Sequence, residues 1–332
     1  MTDYYRPIPL LPGQAAPGAL RLAGGWTRFA EIELLRRGQP PQRLPVADLP
    51  GDWRHRLTAP RPDMLGVPMA RPSLMGIVNV TPDSFSDGGM WDDTDRAVAH
   101  GRDLLGQGAD FLDVGGESTR PGAAEVPVDA EIARVTPVIL ELASAGPVSV
   151  DTRKAAVAAA ATGAGAGLVN DVSGFDFDPA MAAQVAGDGA LVCLMHAQGL
   201  PDRMQDDPRY DDVVLDVYDA LAARVARAQA AGIAPSRICI DPGIGFGKTQ
   251  AHNLAILRRI SLYHGLGCPV LLGVSRKRFI GSIGNAESPE ARDAGTLAVT
   301  LAAIAQGVQI HRVHNIAAIA QGIALWMAVA EE

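Results

Sequence analysis

Three residues, each placed where an apolar run ends, define the chemistry open to this chain: Asp151, Asn170 and Asp241. Two carboxylates and an amide brought together suit a flat heterocycle rich in N–H donors. A carboxylate accepts two such bonds at once, and charge-assisted hydrogen bonds are the strong ones. Taken singly, each also reads as a helix cap or as an ion-pair partner of Lys277 or Arg153. Arg120, Arg312 and His314 supply the opposite charge, and a forked guanidinium fits phosphate oxygens. Each arginine alone reads as a surface ion pair, so the case rests on the combination. Asn79 offers a carbonyl oxygen to a hard cation such as Mg²⁺, which takes few protein ligands and fills its shell with water and phosphate oxygens.

Such residues act together only if the chain brings them to one place. The stretch MGIVNVTPDSFSDGG, Met75 to Gly89, shows the unit that does so. An apolar strand over 73–80 carries Asn79 near its C-terminal end. A loop with two carboxylates, hydroxyls, an aromatic and a glycine pair follows, and a helix opens near Asp92 to Asp95. From Arg71 onward eight such units occur, with strands at 73–80, 110–115, 147–151, 167–172, 190–195, 237–241, 269–273 and 309–313. Helices are expected at roughly 95–107, 129–145, 154–162, 179–186, 211–231, 250–264, 290–306 and 316–330. Apolar β runs alternating with helical patterns imply a parallel sheet. Eight units in this length match a closed (β/α)8 TIM barrel, with an open doubly wound sheet as the alternative. A barrel places its site at the C-terminal strand ends, and polar residues collect at all eight. They include Asn79, the GGESTRPG run from Gly115 with Thr119, Arg120 and Pro121, then Asp151, Asn170, Met195-His196 and Asp241. Ser275-Arg276-Lys277 and Arg312-Val313-His314 complete the set.

Two features of this set have competing readings. Gly243-Ile-Gly-Phe-Gly-Lys248-Thr249 looks like a phosphate-binding P-loop, but it has three residues rather than four between its first Gly and its Gly-Lys pair. Its glycines then serve a tight turn above the barrel, with Phe246 against a ligand ring or packed in the loop. His196 is readable as catalytic or as structural and receives no acid–base role.

Composition bounds the rest. The 332 residues are 48% hydrophobic and 20% charged, as expected of a globular enzyme. A net charge of −8 argues against nucleic acid and anionic membranes as partners. Cys193, Cys239 and Cys268 form no CxxC pair and read as reduced core residues of a cytoplasmic protein. The N-terminus lacks the basic start and apolar core of a signal peptide. The longest apolar segment, 316–330, is shorter than the roughly 20 residues of a membrane span. Residues 1–68, rich in Pro, Arg and Gly, read as an irregular N-terminal extension with one helix at Phe29–Arg37, packed on a catalytic domain of 69–332.

MGIVNVTPDSFSDGG, GGESTRPGA, VDT, ND, LMH, DPGIGFGK, SRKRF and RVH together resemble the motifs of the dihydropteroate synthase family, over about residues 71–330. The resemblance implies a folate-biosynthetic transferase that joins p-aminobenzoate to 6-hydroxymethyl-7,8-dihydropterin diphosphate. The products would be 7,8-dihydropteroate and pyrophosphate, and sulfonamides would be inhibitors. It implies that Asp151, Asn170, Asp241 and Lys277 hold the pterin, with Met195 of LMH among the substrate contacts. Asn79, Arg120, Arg312 and His314 would hold the diphosphate and its Mg²⁺, and Thr119, Pro121, Phe246, Lys277 and Ser275 would surround p-aminobenzoate. Catalysis would fall to Arg120, Asp151, Asp241 and Lys277. It also implies a homodimer through the late barrel helices. One departure is visible: the final motif usually reads RVHD, and Asn315 stands in place of the acid. Two other functions compete. A pterin-dependent methyltransferase has no need of the arginines that cradle a diphosphate, and a non-catalytic pterin-binding paralogue is permitted by Asn315.

Overall fold

The computed structural model describes residues 2–11, 13–14, 16–81, 90–118, 124–199 and 206–330, with residues 90–92 described by backbone alone. Thr119, Arg120 and Pro121, and the first loop from Pro82 to Gly89, lie outside the described residues.

The N-terminal segment is an ordered four-stranded antiparallel sheet: β1 (Tyr4–Pro9), β2 (Leu20–Arg21), β3 (Arg28–Leu35) and β4 (Gln42–Pro45). A short helix α1 (Gly51–Thr58) follows. This corrects two expectations, since the segment is not irregular and the helix at 29–37 is a strand. The apolar spacing of three, Phe29 to Ile32, has a local cause. The β1–β3 register slips between Ile8 and Pro9, which pair with Glu31 and Phe29 and leave Ala30 as an extra residue. Such a bulge puts Phe29 and Ile32 on one face and imitates helical periodicity.

The barrel then runs β5 (Ser73–Asn79), α2 (Met90–Gly106), β6 (Phe111–Gly115), α3 (Val128–Leu142), β7 (Val148–Asp151), α4 (Ala155–Gly163), β8 (Leu168–Asp171) and α5 (Met181–Asp188). It continues with β9 (Leu191–Met195), α6 (Val213–Ala230), β10 (Ile238–Asp241), α7 (Gln250–Arg258), β11 (Leu271–Leu272), α8 (Arg278–Gly284), α9 (Asp293–Ile304), β12 (Ile310–Val313) and α10 (Ile316–Ala330). The strands are parallel in the order β10-β9-β8-β7-β6-β5-β12-β11. A parallel bridge between Ile240 and Val270, with Ile240 N–H donating to the Pro269 carbonyl at 3.0 Å, joins the two end strands. The TIM barrel is therefore the fold. Helix α8 was not expected: the residues from Arg278 onward read as part of the loop after the seventh strand.

Side chains alternate along each strand, so every second residue faces inward. The lower inward layer is apolar: Met75, Phe111, Leu168, Cys193, Cys239, Leu271 and Ile310 form one buried cluster with Met64, Val67 and Met69 from the segment before β5. That segment seals the N-terminal end of the barrel. The next inward layer, two residues further along, contains Asp113, Asp151, Asn170, Met195, Asp241 and Arg312. Apolar floor and polar ceiling are thus one consequence of strand periodicity.

The N-terminal sheet is tied to the outside of the barrel. Tyr4 Oη donates to Asp219 at 2.9–3.0 Å, Arg37 pairs with Asp216 and Asp219, and Trp26 Nε1 donates to the Ile304 carbonyl at 2.9 Å. Trp53 and Tyr218 stack with ring centroids 6.0 Å apart.

Candidate active site

Asp113, Asp151, Asn170, Asp241 and Arg312 meet at the C-terminal face of the barrel. Arg312 Nε donates to Asp113 Oδ2 at 2.5 Å and Nη2 to Asp151 Oδ2 at 2.8 Å. Asn170 Nδ2 donates to the same Asp113 oxygen at 3.0 Å. Asp241 Oδ1 accepts the Gly243 N–H at 2.7 Å. Asp151, Asn170 and Asp241 are not the N-caps of the helices that follow their strands: those of α4, α5 and α7 are Lys154, Ala180 and Thr249. Nor does Arg153 pair with Asp151, because it is spent on Glu117 at 2.8 Å. Asp113 is wholly buried, and its Oδ1, like that of Asp151, has no hydrogen-bond partner among the described residues. Buried acceptors of this kind carry a desolvation cost that a ligand's N–H donors would relieve.

Glycine leaves room beside these acids. A Cβ at Gly115 would lie 3.4 Å from Asp151 Cβ, and one at Gly273 would lie 3.9 Å from Asp241 Oδ2 and 4.0 Å from Arg312 Cβ. The layer sets three buried carboxylates, an amide and Arg312 beside Met195, directly above the apolar cluster.

The charges are strongly coupled. Burial raises Asp151 to about 7, against the pull of Arg312 and with the help of the Asp113 carboxylate. Burial also raises Asp241, partly offset by Lys277 and by the Gly243 N–H. Lys277 is lowered to about 8 by burial, and the Asp241 carboxylate opposes that shift. Arg312 stays charged between its two acids. Groups poised near neutrality in a cleft mark a functional site more often than an inert one.

The rim is built from the later loops. Gly243, Gly245 and Gly247 have φ of +68°, +85° and +61°, and a Cβ on Gly243 or Gly247 would strike the carbonyl of His196 or Gln198. Phe246, in this turn, lies under Lys277, whose Nζ sits 4.6 Å from the ring centroid. Lys277 Nζ also donates to the Ile244 carbonyl. The resemblance of this turn to a P-loop ends at Lys248, which folds back. Its Nζ contacts the carbonyls of His196, Gly243 and Phe246 at 2.9–3.1 Å and His196 Nδ1 at 2.9 Å. Burial and Lys248 drive the pKa of His196 far down, which favours its neutral form in this contact. On the far side Ser275 Oγ lies 2.9 Å from His314 Nδ1.

A buried network supports the β6 and β7 ends. Lys154 Nζ bonds Glu117 at 2.8 Å and Glu131 at 2.6 Å, and Thr152 Oγ1 donates to Glu131 at 2.7 Å. Glu117 also accepts the Val126 N–H at 2.8 Å.

Of the residues singled out in the sequence, Asp151, Asn170, Met195, Asp241, Phe246, Ser275, Lys277, Arg312 and His314 stand on one face. Asn79 ends β5 opposite Gly115 and is partly exposed. Among the described residues no group of three or more His, Cys, Asp or Glu is arranged to hold a metal. A lone amide oxygen fits only a cation that draws most of its shell from water and phosphate, as Mg²⁺ does. Asp113 was missed. Its signal was a carboxylate inside the apolar run FLDVG rather than at its end.

The chain matches the family model described as pterin binding enzyme over residues 75–314. It is 46% identical over 263 residues to a dihydropteroate synthase of Neisseria meningitidis serogroup C, covering 78% of this chain and 93% of that one. Among solved structures it is similar to the dihydropteroate synthase of Xanthomonas albilineans with 4-aminobenzoic acid, with a TM-score of 0.77 and 48% identity over 82% of this chain and 98% of that one. A Yersinia pestis dihydropteroate synthase in complex with a sulfonamide drug is also similar, with a TM-score of 0.75 and 43% identity over 79% of this chain and 95% of that one. Motifs, barrel, polar layer and relatives converge, and the chain belongs to the pterin-binding enzyme family, among its dihydropteroate synthases.

Proposed function

We infer that the chain condenses 6-hydroxymethyl-7,8-dihydropterin diphosphate with p-aminobenzoate, releasing pyrophosphate and forming 7,8-dihydropteroate. The observation that carries the residue assignments is the polar layer itself: three buried carboxylates and an amide above an apolar cluster, with the Oδ1 atoms of Asp113 and Asp151 left without a partner among the described residues. In this reading Asp113, Asp151, Asn170 and Asp241 take the pterin's N–H donors, Lys277 binds a ring acceptor, and Met195 packs beneath. Arg312, which spends two of its five N–H donors on Asp113 and Asp151, offers the rest to the diphosphate. His314, Arg120 and Asn79 join it there. Mg²⁺ held through Asn79, water and diphosphate oxygens would supply charge neutralisation for the leaving group. Ser275, Phe246, Thr119 and Pro121 line the p-aminobenzoate position.

The reaction breaks the methylene C–O bond of the pterin and forms a C–N bond to the arylamine. Positive charge grows on the methylene carbon as diphosphate departs, and the carboxylate layer favours it. Negative charge grows on the leaving oxygen, where Arg312 and Arg120 stabilise it by electrostatics aimed at the transition state. The arylamine is neutral at pH 7 and attacks without a general base, and its extra proton passes to solvent.

Residues 1–68 form an extension that precedes the catalytic unit of 69–332 in this reading, supported by a family match that starts at residue 75, and its last residues, Met64 and Val67, pack into the barrel floor. A homodimer through the α10 face is part of it too, supported by Leu325 and Val329, which stand 65% and 83% exposed there. So is a cytoplasmic location, supported by three buried free cysteines. Among the described residues no helix is long and apolar enough to cross a membrane. The test is pyrophosphate release by purified protein. Release that requires both substrates supports the reading. Pterin binding without release would point to a non-catalytic binder, and methyl transfer to a corrinoid protein would point to a methyltransferase.

A further inference from the structure

Between Ser275 and Lys277 the chain passes through a left-handed turn: Arg276 has φ +59°, a region that suits glycine and that a bulky side chain occupies only when its surroundings impose it. Here they do. The Arg276 N–H donates to Thr296 Oγ1 at 3.1 Å, and its carbonyl accepts Arg292 Nη1 at 2.9 Å. Its guanidinium sits two-pronged on Asp293, with Nε to Oδ1 at 2.8 Å and Nη2 to Oδ2 at 3.0 Å. Asn315 Nδ2 donates to the same Asp293 Oδ2 at 2.8 Å, while Asn315 Oδ1 accepts the Ala318 N–H in the first turn of α10. The residues that hold Arg276 thus come from α9, from the turn just before it and from Asn315, the one position at which the final motif departs from its usual form.

We propose that Asp293, with Thr296, Arg292 and Asn315, is a positioning clamp that keeps Arg276 left-handed and so aims Ser275 and Lys277, on either side of it, into the site. The clamp also accounts for Asn315. An acid at that position would place a second carboxylate within hydrogen-bond distance of Asp293 Oδ2 with no proton to share. An amide donates there instead, and a single carboxylate serves the whole cluster. Aligning Ser275 matters because its Oγ accepts the His314 N–H at 3.2 Å and meets His314 Nδ1, which fixes the end of β12 as well. The proposal rests on the reading of Ser275 and Lys277 as substrate contacts.

The test is steady-state kinetics on the full chain with thermal midpoints measured in parallel. Asp293→Ala and Arg276→Ala are each expected to raise KM for p-aminobenzoate about tenfold, and the double variant no further, because both remove one shared interaction. Arg276→Gly reaches the turn without a clamp and is expected to stay within about threefold of the parent. Asn315→Asp is expected to raise KM like Asp293→Ala, and combining it with Asp293→Asn, which restores one acid and one amide, to recover most of the loss. Two results overturn the clamp: KM within twofold of the parent in Asp293→Ala despite a lowered midpoint, or Arg276→Gly as impaired as Arg276→Ala. A parent protein that releases no pyrophosphate would overturn the activity itself, before any variant is made.

Discussion

Asp241→Asn separates a site carboxylate from a structural one. Asp241 is buried at the end of β10, spends one oxygen on the Gly243 N–H, and faces Gly273 with the other. Losing a charge-assisted acceptor for a ring donor costs on the order of 1.5–3 kcal/mol. At about 1.4 kcal/mol per factor of ten, pterin affinity is expected to fall roughly 10- to 150-fold. A second effect follows from Lys277, whose pKa of about 8 is held up by the Asp241 carboxylate against burial. Without that carboxylate Lys277 loses its proton at a lower pH, so the variant's deficit should be larger at pH 8 than at pH 6.5. Stability should move the other way. Burial has raised the pKa of Asp241, so removing its charge relieves a desolvation cost, and the thermal midpoint is expected to hold or rise. The assay is calorimetric titration with the pterin substrate at both pH values, alongside a melting curve. Affinity within twofold of the parent, or a deficit that tracks lost stability, would refute the placement of the ring against Asp241.

Four further outcomes follow. Gly273→Ala should fold normally, since a Cβ there meets its nearest neighbours at 3.9–4.0 Å, yet it should weaken pterin binding by roughly tenfold by filling space beside the polar layer; unchanged affinity would show that the ring lies elsewhere. Pterin binding should release a proton between pH 6 and 7, because Asp151, raised to about 7 in the free protein, must be ionised to accept N–H donors, so affinity should climb from pH 5.5 to 7. The same raised acid makes the unliganded fold lose stability as pH rises from about 4 to 7. Titrations in buffers of different ionisation heat would show the released proton, and net uptake would contradict the assignment. Sulfonamides, which present an arylamine on a flat ring, should inhibit in competition with p-aminobenzoate, and inhibition that excess p-aminobenzoate leaves in place would count against the pocket at Ser275 and Phe246.

How much of this was legible in the sequence depended on whether the controlling interaction was local. The strands were readable because each is a short apolar run with a polar residue at one end, and Asp151, Asn170 and Asp241 came with them. Arg312 was readable as a candidate site cation, but not its fork onto Asp113 and Asp151, which lie 199 and 161 positions away. Asp113 was hidden by lying mid-strand, where the next inward position is already the polar ceiling. The β3 strand was masked by one extra residue, Ala30, whose bulge mimics a helical period. His196 could not be assigned until Lys248 was seen to fold back onto it. The left-handed Arg276 carries no sequence signal, because arginine does not favour that conformation and the groups that impose it belong to other elements.

In this reading the pterin ring lies against the carboxylate layer at the C-terminal face of the barrel. A crystal structure of the protein with 6-hydroxymethyl-7,8-dihydropterin diphosphate tests it most directly. Ring N–H groups are expected at about 3 Å from the carboxylates of Asp241 and Asp151 or Asp113, with the diphosphate toward Arg312 and His314. A ring bound outside this layer, with Arg312 still closed on Asp113 and Asp151, would contradict it.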